Sequence, residues 1–278
     1  MKIFFKKSEI TEYLDELKAS SASIGFVPTM GALHSGHLSL IKQCLKNNKV
    51  SVVSIFVNPT QFNNTSDLIN YPKDLKKDIE LLENLSKKII IFSPEAKEIY
   101  TDKELTNKYD FNGLDKFMEG KFRNNHFEGV ATIVELLLKI IKPNSAYFGE
   151  KDFQQLAIIR SLKTNVNIVG CPTLRDINGL ALSSRNIKLS VKSKTVASNI
   201  FKNLNFIKSN FHKSSIENLI STATNNINSF DQMNLEYLEI AEENKLVPIN
   251  VIKSEKKYRA FASVFVDGIR LIDNIALN

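Results

Sequence analysis

The stretch Pro28-Thr29-Met30-Gly31-Ala32-Leu33-His34-Ser35-Gly36-His37-Leu38-Ser39-Leu40 holds a change of period. Ahead of it, Ile24 to Val27 is a short apolar run of strand character. Beyond Gly36, Leu38, Ile41 and Leu45 recur at helical spacing. Pro28 breaks the strand, and Gly31 and Gly36 let backbone approach a ligand closely. A strand that turns directly into a helix is half of a βαβ unit, and in such folds ligands gather outside the carboxyl ends of the strands. His34 and His37 are three residues apart, so both imidazoles can face one anion, with the N–H groups of the helix terminus behind them. Two such donors suit charge developing on the α-phosphate of a nucleotide and on a departing pyrophosphate. The plainer reading is that both rings cap the helix. A zinc site is excluded because no third His, Cys or paired carboxylate stands nearby.

Outward from this turn, strand and helix patterns alternate to about residue 170. The pattern predicts a helix over 8–18 capped by Ser8, and a β-branched strand over 50–57 (Val-Ser-Val-Val-Ser-Ile-Phe-Val) buried on both faces. It continues with a helix over 75–85, a strand over 89–92, a helix over 130–141, and strands at 146–148 and 166–169 flanking a helix over 153–162. Alternation of this kind implies right-handed crossovers and a parallel sheet covered on both faces, the Rossmann-like doubly wound α/β class. Beyond about residue 173 the texture changes. Two helical stretches (190–209 and 214–228) precede two strand-like runs (235–240 and 258–266), as in a smaller α+β domain. The expected division is 1–173 and 174–278.

Composition narrows the function. The 278 residues carry 37 Lys+Arg against 30 Asp+Glu, a net charge of +7. Residues 1–173 hold 23 against 20 and the remainder 14 against 10, so the excess is dispersed, without the basic face a nucleic acid needs. No run approaches a membrane span, and the N-terminus lacks signal-peptide character. Cys44 and Cys171 lie far apart inside apolar patterns, which excludes a disulfide framework and points to the cytoplasm. The chain has only four His and six Arg. Three His, and Arg123, Arg175 and Arg185, fall in or beside the candidate motifs.

Those motifs follow strands or open the second part. Asn58-Pro59-Thr60-Gln61-Phe62 leaves the 50–57 strand; the neutral amide of Gln61 suits a hydroxy acid, although a simple turn would look the same. Gly149-Glu150-Lys151-Asp152 precedes a helix; Lys151 offers a flexible cation for phosphate, while Asp152 reads equally as an N-cap. Ser183-Ser184-Arg185 supplies two hydroxyls and a guanidinium that can close on β- and γ-phosphates, or forms an exposed polar turn.

His34-Ser35-Gly36-His37 resembles the HIGH signature of nucleotidyltransferases. The longer strings 28–40, Ser54 to Phe62, Arg123 to Val134, Tyr147 to Leu156, Gly179 to Asn186 and Gly268 to Asn274 resemble the pantothenate synthetase (pantoate–β-alanine ligase) family, in the family's order along nearly the whole chain. One departure is Arg123-Asn124-Asn125-His126-Phe127, where the family usually has Pro after Arg; its loss loosens that loop.

The resemblance implies ATP-dependent condensation of (R)-pantoate with β-alanine to pantothenate, AMP and pyrophosphate through pantoyl adenylate. It implies ATP contacts at Met30, Gly31, Ala32, Leu33, His34, Ser35, Gly36, His37, Gly149, Glu150, Lys151, Asp152, Leu174, Leu182, Ser183, Ser184 and Arg185. By the same resemblance His34, His37, Lys151, Ser183, Ser184 and Arg185 are expected to carry the catalysis. The resemblance assigns Gln61 and Gln155 to pantoate and then β-alanine, beside Pro28, Thr29, Met30, Asn58, Val130 and Val134. Mg²⁺ is expected to bridge phosphate oxygens without a protein carboxylate cluster, and the family suggests a homodimer. Two competing readings remain: a HIGH-motif nucleotidyltransferase acting on a phosphorylated acceptor, which would not need the Asn58–Phe62 and Glu150–Leu156 blocks, and an RNA-binding protein, which would need a concentrated basic face.

Overall fold

The computed structural model describes residues 1–62, 65–100 and 106–278. The chain forms two compact units. The first comprises Met1–Phe111, Arg123–Glu150 and Ile158–Pro172; the second comprises Asn112–Phe122, Lys151–Ala157 and Thr173–Asn278.

The first unit is built on six strands: β1 (Lys2–Phe4), β2 (Ile24–Thr29), β3 (Val50–Ile55), β4 (Ile89–Phe92), β5 (Ser145–Gly149) and β6 (Asn167–Cys171). They form one parallel sheet in the order β1-β4-β3-β2-β5-β6. From β2 the chain builds outward one way through β3 and β4, and the other way through β5 and β6, so the order reverses beside β2. Helices α1 (Lys7–Ala19), α2 (Ser35–Asn47), α3 (Thr65–Ile69), α4 (Leu75–Leu85) and α5 (Ala96–Ile99) follow in this unit. Next in the chain come α6 (Glu119–Phe122), α7 (His126–Ile141) and α8 (Phe153–Ser161).

Cover on both faces of the pleat explains why β2 and β3 are buried along nearly their whole length. Val27, Val53 and Ile91 share one register row and bury against Ile41 and Cys44 of α2 and Leu82 of α4. Phe26, Val52, Ile90 and Ala146 share the next row on the opposite face, where α7 lies against β2 and α1 against α7. Each Val, Leu, Ile or Phe among them contributes about 1.5–3 kcal/mol by leaving water. The doubly wound class expected from the sequence is what the chain adopts.

The second unit contains α9 (Val191–Ala197), α10 (Asn199–Asn210) and α11 (Ile216–Asn228), with the antiparallel sheet β7 (Met233–Glu242), β8 (Tyr258–Val266) and β9 (Ile269–Ala276) in that order. Ile200, Leu204 and Ile207 of α10 and Leu219 and Ala223 of α11 bury against Leu238, Ile240, Ala260 and Val264 of the sheet. A two-residue turn, Asp267-Gly268, joins β8 to β9 and fixes their register at Val266 opposite Ile269.

Several local expectations shift. α1 begins at Lys7 with Lys6 at its N-cap and no side-chain cap, so Ser8 lies inside the helix. The helix expected over 190–209 is two, α9 and α10. The 130–141 helix starts four residues earlier, at His126. β1 and β9 were not anticipated as strands. Among the described residues no helix is long and apolar enough to cross a membrane.

Candidate active site

The turn after β2 is braced at both ends by side-chain hydrogen bonds. Thr29 Oγ1 donates to the Ser54 carbonyl at 2.7 Å and accepts from Gly31 N–H at 3.2 Å, tying the end of β2 to β3. Gly31 and Ala32 then take positive φ, 78° and 49°. A Cβ at Gly31 would meet Asp78 Oδ2 at 2.9 Å, so both the backbone and the space require glycine. The Asp78 carboxylate, buried on the inner face of α4, accepts N–H from Ala32 at 2.9 Å and from Leu33 at 2.7 Å. Burial pushes its carboxyl above the usual carboxylate range, and these two hydrogen bonds pull the other way.

Held in this way, the chain enters α2 with His34 at the N-cap. His34 Nδ1 accepts Gly36 N–H at 3.1 Å, and His37 Nδ1 accepts the His34 N–H at 3.4 Å, a reciprocal capping box. The rings lie 4.1 Å apart, tilted by 40°. Capping and ligand binding are therefore compatible here. Engaging Nδ1 places the proton of each neutral ring on Nε2, the atom able to donate to an anion.

The Asn58–Phe62 block is a second braced turn at the carboxyl end of β3. Asn58 is fully buried. Its Nδ2 donates to the Gly129 carbonyl and to Gln61 Oε1, both at 3.2 Å, and its Oδ1 accepts Thr60 N–H at 3.4 Å and Tyr100 OH at 2.5 Å. Asn58 thus orients Gln61 instead of standing open. Gln61 Nε2 lies 2.8 Å from Met30 Sδ, bringing together two of the expected pantoate residues. The main-chain carbonyl of Gln61 is held by His126 Nδ1 at 2.8 Å and Arg123 Nη2 at 3.3 Å. The Arg123–His126 segment reaches this position through Asn125 in the left-handed region, φ 57°, where the sequence pattern implied a looser loop. Thr29, Val130 and Val134 are buried; Pro28 and Met30 are half-buried. Gly149 closes β5 and Glu150 opens the 3-10 turn after it; both are half-buried.

The remaining expected residues belong to the second unit. Lys151 is mostly buried, with Nζ 3.4 Å from Asp152 Oδ1. Gln155 is half-buried, whereas its neighbour Gln154 is buried and staples the 112–122 segment. Gln154 donates from Nε2 to the carbonyls of Leu114 (2.7 Å) and Phe117 (2.9 Å) and accepts Glu119 N–H at 2.9 Å. Leu182 N–H donates to the Leu174 carbonyl at 3.0 Å, so these two expected nucleotide contacts are paired across one turn. Ser183 Oγ accepts Arg185 N–H at 3.3 Å and caps a 3-10 turn, Ser184–Lys188, in which Ser184 is buried and Arg185 half-buried.

Asp78, Arg123 and His126 hold the backbone of the two turns, and the sequence did not single them out for that role. Asp78 had one readable signal, an acid on the apolar face of α4 with Leu75, Ile79 and Leu82. Neither cysteine is poised for nucleophilic work: burial pushes Cys44 and Cys171 to about 11. Among the described residues no group of three His, Cys, Asp or Glu is placed to hold a metal ion.

The whole chain has known counterparts. A family model described as pantoate-beta-alanine ligase matches residues 2–276. Proteins named pantothenate synthetase from Christiangramia forsetii and Flavobacterium psychrophilum are 49% and 48% identical, each with 100% of both chains covered. The crystal structure of a pantothenate synthetase from Thermus thermophilus superposes with a TM-score of 0.91 at 32% identity, covering 100% of this chain and 99% of that one. A pantoate-beta-alanine ligase from Francisella tularensis, solved as a complex with beta-gamma ATP and beta-alanine, matches with a TM-score of 0.82 at 36% identity over 100% of this chain and 98% of its own. On full-length matches in both sequence and fold, the chain belongs to the pantoate-beta-alanine ligase family.

Proposed function

We propose that this chain joins (R)-pantoate to β-alanine at the expense of ATP, in two steps. A carboxylate oxygen of pantoate attacks the α-phosphorus and displaces pyrophosphate, giving pantoyl adenylate. The amine of β-alanine then attacks the acyl carbonyl, forming the amide and releasing AMP. The observation that carries this reading is the His34–His37 turn at the point where the strand order reverses: backbone N–H groups engage both Nδ1 atoms, which puts the proton of each neutral ring on Nε2, the donor this reading assigns to phosphate.

In this reading His34 and His37 stabilise charge on the α-phosphate and the leaving pyrophosphate, with Lys151 and Arg185 supplying cations and Ser183 and Ser184 supplying hydroxyls. The nucleotide contacts run from Met30 to His37 and from Gly149 to Asp152, and include Leu174 and Leu182. Gln61 and Gln155 hold the hydroxy acid; Asn58 acts by orienting Gln61. Pro28, Thr29, Met30, Val130 and Val134 shape the pantoate pocket. Positioning and charge neutralisation suffice for the first step, and no enzyme nucleophile is needed. Mg²⁺ enters as part of the substrate, on the ATP phosphates, and no side chain of this chain is assigned to it. Most nucleotide contacts and the pantoate contacts come from residues 1–173, with 174–278 contributing Leu174, Leu182 and the Ser183–Arg185 loop. The chain acts in the cytoplasm as a homodimer, with no nucleic-acid or membrane partner.

The experiment is product analysis with ATP, pantoate and β-alanine. Stoichiometric AMP and pantothenate support the proposal. ADP and phosphate would show a different activation route.

A further inference from the structure

The closing motif, Gly268 to Asn274, has no role in the chemistry above, yet two of its residues tie together two stretches that do. Asn274 Nδ2 donates to the main-chain carbonyl of Lys151 at 2.8 Å, while its Oδ1 accepts from Arg259 Nη1 at 2.6 Å and its own N–H donates to Asp273 Oδ1 at 2.8 Å. The Asp273 carboxylate takes Arg175 in a two-point ion pair, Nη1–Oδ2 at 2.5 Å and Nη2–Oδ1 at 2.8 Å. Arg175 is the first residue of the turn that leads to Ser183. It bridges to Ala181, donates to the Gly179 carbonyl at 3.1 Å, and stacks its guanidinium 3.7 Å from the Phe201 ring. The Ala181 carbonyl in turn accepts Asn186 Nδ2 at 3.0 Å, from within the Ser184–Lys188 turn. Successive residues of a strand project to opposite faces. One face of β9 therefore fixes Lys151 and the other fixes the approach to Ser183 and Arg185, all within the second unit.

Asp273 and Asn274 are both buried, at 5% and 4% exposure. A buried ion pair adds little net stability over a packed apolar pair. Holding two cation-bearing segments in one geometry is a different service, since a displacement of about 1 Å can cost about 100-fold in rate. We propose that Asp273 and Asn274 are positioning residues for adenylate formation. They set the Lys151 backbone and the Ser183–Arg185 turn in register with each other. This inference rests on the proposed two-step reaction.

The test separates the two steps. Pantoate-dependent exchange of pyrophosphate into ATP reports the first, and aminolysis of isolated pantoyl adenylate by β-alanine reports the second. Asn274→Ala should slow exchange by about 30-fold or more while its KM for pantoate and the aminolysis rate stay within about 3-fold. Asn274→Asp, nearly isosteric but unable to donate to the Lys151 carbonyl, should show the same split and decides the matter if the alanine variant folds poorly. Asp273→Asn should raise the KM for ATP. Val266→Ala, a packing defect at the far end of β8, should lower stability and slow both steps in equal proportion. Equal slowing of both steps in the Asn274 variants, or unchanged exchange, would overturn the inference. Absence of exchange in the unaltered enzyme would instead overturn the two-step reading itself, and the inference with it.

Discussion

The N–H of Leu33 donates to Asp78 Oδ1 at 2.7 Å, across 45 residues of chain, and the neighbouring Ala32 N–H takes the other oxygen of the same carboxylate. A single acid from α4 thus fixes the backbone of the turn that presents His34 and His37. Asp78→Ala strands two buried N–H groups, so it should destabilise the protein by about 2–5 kcal/mol and reduce adenylate formation even where the protein remains folded. Denaturant unfolding measures the first effect. A loss within experimental error of zero would mean that water replaces the carboxylate at no cost.

The ionisation of Asp78 gives stability a pH dependence of unusual sign. Burial raises its pKa in the folded protein, so between the unfolded and folded values the native state holds the proton more tightly. Its contribution is greatest below the ordinary carboxylate pKa of about 4 and declines as pH rises through the folded value. In unfolding measured from acid toward neutral pH, the stability of the unaltered protein relative to Asp78→Asn should fall with rising pH. A difference that grows with pH would contradict the assignment.

Both histidines belong to the capping box, but the bond at His34 is the shorter, 3.1 Å against 3.4 Å at His37. His34→Ala removes the cap of α2 and should cost about 1 kcal/mol of stability in addition to activity. His37→Ala and Lys151→Ala should leave circular dichroism unchanged yet lower the adenylation rate by about 100-fold or more. Near-normal exchange in both of these would remove the site assignment.

Gly129 tests the second turn. It lies within α7, where replacing glycine by alanine ordinarily stabilises a helix by about 1 kcal/mol. Here a Cβ would stand 2.5 Å from the Thr60 carbonyl oxygen and 3.0 Å from Gln61 N. Gly129→Ala should therefore destabilise, by about 1–3 kcal/mol, and raise the KM for pantoate by displacing Gln61. A stabilised variant with unchanged KM would show that the turn yields freely.

What could be read from the sequence follows from what is local. The change of period around Pro28 and Gly36, and the β-branched run of β3, placed the strands, the α2 turn and its two histidines, because strand and helix patterning depend on neighbours. Asp78 was obscured because its partners are main-chain atoms far away in sequence. β9 was obscured because Asp273 and Asn274, buried and polar, break the apolar alternation a strand displays. The roles of the adjacent Gln154 and Gln155 cannot be told apart by composition. Only the carbonyls of Leu114 and Phe117 identify Gln154 as the anchor of the 112–122 segment in the second unit.

The central claim, that the braced His34–His37 turn activates pantoate as a free adenylate, is tested most directly by isotope exchange. Purified protein is incubated with ATP, labelled pyrophosphate and pantoate, with β-alanine omitted. The account predicts label entering ATP at a rate that depends on pantoate and falls by about 100-fold or more in His37→Ala. No pantoate-dependent exchange in an enzyme that still makes pantothenate would contradict it.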